Sequence, residues 1–272
     1  MSVSTSSEPC TLSAVFAACA AEGRAALVPY VTAGHPSPAE TGEVLRMLAE
    51  EGADVIELGV PFSDPLADGP IIQRSSFQAI EQGADLAWVL RTLAEFRAEH
   101  DTPVVLFSYL NPLLRYGLDR FLADAAAAGA QGVLVTDLPV GADPETERAF
   151  HESPLDLIRL AAPTSTPERV ATIAAASRGF LYYVSRTGVT GTQSELREGL
   201  ARQVQAVQAV SPVPVAVGFG ISTPEQAATV AQVADGVVVG SALVDVLGRE
   251  GLPAARALVR GLRAAMPRRA EP

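Results

Sequence analysis

Short, continuously apolar runs alternate with longer stretches of helical periodicity along the chain. The runs cover residues 27–32, 55–60, 104–109, 132–137, 155–161, 180–185, 213–218 and 236–240. Helical patterns occupy stretches such as 38–51, 86–100, 118–128, 167–177, 195–210 and 224–233. Ser37, Thr166 and Thr223 each precede a proline, the signature of an N-cap followed by proline in the first helical turn. Gly52, Gly83 and Gly129 follow helical patterns and suit left-handed C-caps. Strands apolar on both faces, alternating with helices, imply a parallel sheet covered on both sides. Eight such strands can close. The pattern therefore predicts an α/β fold of the (β/α)8 barrel type rather than an open doubly wound sheet, and no Gly-x-Gly-x-x-Gly opens the first helix.

Ahead of the first strand, Leu12, Val15, Phe16 and Cys19 fall on one helical face, with Thr11 or Ser13 placed to cap it. Glu8 precedes this segment and no cation does, so an extra N-terminal packing helix is expected rather than a secretory signal. No apolar run approaches the roughly 20 residues that span a bilayer. No linker or low-complexity break interrupts the pattern. One barrel domain over residues 1–272 is expected, with a core of about 12–266 and a frayed, solvated tail from Arg263.

Composition narrows the chemistry. The formal charge is −11, and all 20 basic side chains are arginine. Without lysine there can be no Schiff base to a carbonyl or to pyridoxal phosphate, and no Walker-A contact to a nucleotide. The acidic balance argues against nucleic acid as a partner. Cys10 and Cys19 do not form a disulfide framework or zinc ribbon, and His35, His100 and His151 are scattered without metal-ligand spacing. No metal is expected, and a reduced, cytoplasmic setting is.

In a barrel, function gathers at the C-terminal ends of the strands and the loops beyond them. In the second run, Ile56, Leu58 and Val60 form one alternating set, which suits the helix layer and turns Glu57 toward the lumen. A carboxylate there loses hydration, its pKa rises, and it can serve as acid or base near neutrality. A solvated rim glutamate, or one paired to arginine, fits the pattern equally. The loop 61–70 carries Asp64 and Asp68 between prolines, and Asp68 could reach over the mouth to join Glu57. Aspartates that bond their own turn are the commoner arrangement in such loops.

Glycine-rich turns follow strands six, seven and eight: Gly188 to Gly191, Gly218 to Ser222, and Gly240 to Ala242. Turns after the seventh and eighth strands, with Ser241 opening a helix, predict a phosphate site built from backbone N–H groups. Tyr109 and Tyr182 could each present a lumen hydroxyl or simply pack. Asp137 could be functional or cap a strand end. His35 is expected to be exposed, and Trp88 and Phe96 to pack.

Together these motifs closely resemble the tryptophan synthase alpha chain family. The resemblance is carried by residues 29–34, the long segment 56–70, and residues 162–165, 182–186, 188–191, 218–222 and 240–242, and it runs from about Leu12 to Met266. It implies a (β/α)8 barrel lyase that cleaves indole-3-glycerol phosphate by retro-aldol chemistry to indole and glyceraldehyde 3-phosphate, in tryptophan biosynthesis. On the matching positions, Glu57 would shuttle protons, Asp68 would stabilise positive charge at the indole N–H, and Tyr182 would stand beside the substrate. The phosphate would rest on Gly191, Gly220, Gly240 and Ser241, with Thr190 closing the loop, and Phe219 and Phe107 lining the indole pocket. Members pair with a beta chain as an alpha2-beta2 heterotetramer, so Asp64, Asn111 and Pro112 would face that partner. Pyridoxal phosphate is expected only in the beta chain, and this chain would need no cofactor. Residues 195–203 match none of these motifs, and the match gives His35 no role.

The exclusions agree with this chemistry. A carbon–carbon cleavage needs an electron sink, and neither a lysine imine nor a histidine-bound zinc is on offer. A protonated indole ring is its own sink. Two rival readings share parts of the pattern: another phosphate-binding barrel such as a sugar-phosphate epimerase, and a silent activator that only docks on a beta chain.

Overall fold

The computed structural model describes residues 11–184, 193–218 and 220–266, with the side chains of residues 193–198 outside the description. Eight parallel strands close into a barrel in chain order. They are β1 (Ala26–Thr32), β2 (Ile56–Gly59), β3 (Val104–Ser108), β4 (Gly132–Val135), β5 (Asp156–Ala161), β6 (Leu181–Val184), β7 (Val215–Gly218) and β8 (Gly236–Val239). Pairing of Ala26 to Gly236 through Pro29 to Val239 seals β1 against β8. All eight predicted runs contain strands; β1 starts one residue early, and the others are shortened by one or two residues in all.

The helices begin with α1 (Leu12–Ala21), α2 (Thr41–Glu50, entered by a 3-10 turn at Pro38–Glu40), α3 (Pro70–Glu81) and α4 (Leu86–Glu99). Next come α5 (Leu110–Tyr116), α6 (Leu118–Ala127), α7 (Pro144–Glu152) and α8 (Pro167–Ala175). The series ends with α9 (Gln193–Gln208), α10 (Pro224–Ala231), α11 (Ser241–Glu250) and α12 (Leu252–Ala265). Thr166 caps α8, and Thr223 caps α10 with a full capping box to Gln226. Ser37 does not cap: its hydroxyl donates to Glu40, 2.5 Å away, because the chain enters by a 3-10 turn. Gly52, Gly83 and Gly129 all take φ +87, as C-cap positions require.

Strand alternation splits the core. Ile56, Leu58, Leu106, Val133, Leu157, Val217 and Val237 face the helices, whereas Val28, Val55, Val105, Leu134, Ile158, Ala216 and Val238 fill the lumen. Leu12, Phe16 and Cys19 of α1 belong to the lumen cluster, so this helix stoppers the N-terminal end of the barrel. Thr11 caps it, accepting from the Ala14 amide. The Phe16 ring packs against Phe180 with centroids 5.3 Å apart and planes tilted by 34°. Room for the stopper comes from glycine: a Cβ at Gly236 would lie 3.0 Å from the Phe16 ring, and one at Gly179 2.8 Å from Leu12.

Two expectations are corrected. His35 is buried, not exposed, because its ring fits the notch left by Gly248 on α11, and Nε2 donates to the Val244 carbonyl at 3.1 Å. The tail expected to fray from Arg263 does not begin to do so there, and residues 267–272 lie outside the described residues. Arg263 closes α12, reaches Asp54 at 3.4 Å, and joins a network in which Arg24 grips both Asp54 oxygens at 2.8 Å while Arg256 and Arg260 share Glu51. The planar guanidinium suits this two-pronged pairing.

If α1 is the stopper, Phe16→Ala should cost about 3–5 kcal/mol, the range for deleting a buried phenylalanine. Urea unfolding measures it, and a loss below about 1 kcal/mol would show that the helix merely rests on the barrel.

Candidate active site

The lumen above the stopper is not filled. It opens at the C-terminal mouth into a cavity of about 590 Å³, a size usual for small-molecule sites. Glu57 stands at its base. Alternation along β2 turns it inward as expected, register places it beside Tyr30 on β1 and Val105 on β3, and it is 1% exposed. Neither carboxylate oxygen has a hydrogen-bond partner among the described residues. Burial alone pushes its pKa up from 4.5 to about 8, so the side chain is mostly protonated at neutral pH.

Asp68 enters the cavity from the loop after β2. That loop is pinned by reciprocal bonds between the Phe62 backbone and the Ser76 hydroxyl of α3, at 2.8 and 3.1 Å. The Tyr109 hydroxyl donates to Asp68 Oδ2 at 2.9 Å and accepts from the Ala67 amide at 2.9 Å. Burial raises the Asp68 pKa from 3.8 to about 6, with the Tyr109 hydrogen bond pulling the other way. The two acids thus line one cavity with different protonation at pH 7. Asp64 instead accepts from its neighbour Ser63 at 2.5 Å and lies outside the cavity.

The walls are aromatic and aliphatic. Tyr182 of β6 points inward, and its hydroxyl occupies the space that a Cβ at Gly218 would fill. The Tyr30 hydroxyl sits the same way over Gly59. Phe107 meets Tyr30 edge-on at 5.2 Å, and Ile72, Leu160 and Val238 complete a slot for a flat apolar group. Tyr30 is absent from the sequence-derived site, although alternation in β1 sets it on the same face as Val28 and the register beside Glu57. Tyr109 lies just past β3, at the head of α5, rather than within the strand. Asp137 accepts from the Leu110 amide at 2.7 Å and so anchors the start of α5.

Across the mouth from the acids lie Gly220, with φ +75, and Gly240 and Ser241. The start of α11 has no side-chain cap, and Gly240, Ser241 and Ala242 at that helix end line the cavity. Thr190, Gly191 and Phe219 lie outside the described residues. Asp64, Asn111 and Pro112 come together on a separate groove between the β2 loop and α5, beside exposed Leu114 and Ile80.

The family model for the tryptophan synthase alpha chain matches residues 16–266. The tryptophan synthase alpha chain of Acidiphilium cryptum is 49% identical over 237 residues, covering 87% of this chain and 86% of its own. That of Burkholderia lata is 49% identical over 260 residues, covering 92% and 94%. A solved tryptophan synthase structure from Mycobacterium tuberculosis superposes with a TM-score of 0.86 at 43% identity, covering 96% of this chain and 98% of that one. The alpha subunit from Legionella pneumophila gives 0.84 at 38% identity, covering 93% and 97%. The chain belongs to the tryptophan synthase alpha chain family, the lyases that cleave indole-3-glycerol phosphate to indole and glyceraldehyde 3-phosphate in tryptophan biosynthesis.

Proposed function

We propose that Glu57 and Asp68 divide the proton and charge work of this cleavage, with Tyr182 beside the substrate. The observation that carries the reading is the split in their acidity within one cavity, about 8 for Glu57 and about 6 for Asp68. At pH 7 Glu57 holds a proton and Asp68 is ionised. Glu57 gives its proton to the indole ring carbon that bears the side chain. Positive charge then spreads to the ring nitrogen, and the Asp68 carboxylate stabilises it there. The side-chain carbon–carbon bond breaks, its electron pair returns to the ring, and the adjacent hydroxyl becomes the aldehyde as its proton passes to Glu57. The catalyst is restored without a lysine imine.

Phe107 and Phe219 line the ring site in this reading, and Thr190, Gly191, Gly220, Gly240 and Ser241 hold the phosphate through backbone N–H groups and a hydroxyl. Asp64, Asn111 and Pro112 form the docking surface for a beta chain in an alpha2-beta2 heterotetramer. Pyridoxal phosphate belongs to that partner, since this chain has no lysine to bind it. The chain works as one barrel domain over residues 1–272, core about 12–266, in the cytoplasm. No helix of the described residues is long and apolar enough to cross a membrane.

Glu57→Gln should abolish indole release, with a fall of at least roughly a thousandfold, while glycerol 3-phosphate binds within a few-fold of wild type. Near wild-type turnover in that variant would sink the role given to Glu57. The same substitution reports on burial. The Glu57 pKa is raised on folding, so its protonated form contributes stability below about 4.5 that is lost as pH climbs through about 8. Relative to wild type, the glutamine variant should gain stability between about pH 5 and 8 and level off above, as urea titrations would read. Parallel curves would show a solvated carboxylate. Added beta chain should raise the indole-release rate, and equal rates with and without it would count against the docking surface.

A further inference from the structure

We propose that Tyr109 is a positioning residue for Asp68 and transmits the state of the docking groove to that carboxylate. The inference rests on the cleavage reading above and adds a route by which a partner governs it. Tyr109 is 4% exposed, and its polar and apolar ends face two different places. Its hydroxyl lies in the active site, donating to Asp68 and accepting from the Ala67 amide, both at 2.9 Å, with the Thr136 hydroxyl as a further neighbour. Its ring packs on Phe62 at 5.2 Å, with the planes tilted by 38°. Phe62 lines the groove that also holds Asp64, Asn111 and Pro112.

Backbone connectivity strengthens the link. Tyr109 is the N-cap residue of α5, and Asn111 and Pro112 occupy the first turn of that helix. A body pressed against the groove bears on Phe62 from the β2 loop and on the first turn of α5. Tyr109 touches the first and is continuous with the second, so neither can shift without moving the hydroxyl that aims Asp68. The coupling needs only the two bonds to that hydroxyl, because Asp68 sits on a loop and a small displacement changes its reach. Asp68 is surrounded in the cavity by Glu57 of β2, Tyr30 of β1, Tyr182 of β6 and Asp245 of α11, and Tyr109 is the group among the described residues that hydrogen-bonds its carboxylate.

The test is Tyr109→Phe, which keeps the ring on Phe62 and deletes the hydroxyl, assayed for indole release across pH with and without saturating beta chain. We expect kcat to fall roughly tenfold with KM within about threefold. The acid limb of the kcat profile should move to higher pH, because the lost hydrogen bond favoured the charged carboxylate. Stimulation by beta chain should drop by half or more. A second variant, Phe62→Leu, should lower the stimulated rate while leaving the acid limb at its wild-type position. An unmoved acid limb in Tyr109→Phe overturns the positioning role, and undiminished stimulation in both variants overturns the coupling. Absence of indole release from the wild-type chain would overturn the cleavage reading and this inference with it. Release by wild type alongside unaltered variants overturns this inference alone.

Discussion

Glu57 is a carboxyl group at 1% exposure with no hydrogen-bond partner among the described residues, and the site depends on holding it that way. Ionised, it would cost several kcal/mol in such surroundings, so it keeps its proton to about pH 8. A group with that acidity is what protonation of a weakly basic carbon near neutrality requires. The desolvation comes from outside the residue. It follows from a lumen closed below by α1, walled by Val55, Val105 and their neighbours, and narrowed above by Tyr30, Tyr182 and Phe107. In the proposed reading, stability and catalysis therefore meet on one face of β2, where the same burial that packs the barrel sets the proton affinity.

The lumen is graded along its axis by the size of side chains. At the bottom, glycines at 132, 179 and 236 admit Leu12 and Phe16, and the interior is solid. Near the top, Gly59 and Gly218 have the opposite use: each gives its space to a tyrosine hydroxyl from the adjacent strand. The rings of Tyr30 and Tyr182 are thereby drawn against the wall, and the cavity remains open between them. A methyl group at either glycine would collide with a phenol and push its ring out into the cavity. Loop geometry then adds Asp68 on one side of this slot and Gly220, Gly240 and Ser241 on the other.

Local pattern carried much of this and failed at identifiable points. The inward aim of Glu57 was legible because alternation in a strand has a period of two and its neighbours Ile56 and Leu58 demand the helix layer. The eight strands were legible because strands buried on both faces read as short continuous apolar runs between helical patterns. Asp68 could be nominated but not placed, because its position depends on Tyr109, 41 residues away, and on Ser76 of α3. Tyr30 needed the β1–β2 register, a non-local fact. His35 was misread because its burial depends on Gly248 of α11, and Arg263 because its partner Asp54 lies on the far side of the chain. Each failure is a tertiary contact with no local periodicity to announce it.

The missing lysines acquire a structural meaning once the cations are located. The described arginines are drawn to the base of the barrel, where Arg24, Arg256, Arg260 and Arg263 serve Asp54 and Glu51, and to the outer layer, where Arg159 meets Glu147 at 2.8 Å. Among the described residues none lines the catalytic cavity. A guanidinium or ammonium within a few ångströms of Glu57 would favour its charged form and return its pKa toward the ordinary carboxylate range. The residue would then be ionised at pH 7, with no proton to give. In the proposed reading, a phosphate bound through amides at the start of α11 is attracted without any arginine of the described residues being placed beside that acid. Holding the anion by backbone dipoles, in that reading, reconciles recognition of an anionic substrate with retention of the Glu57 proton.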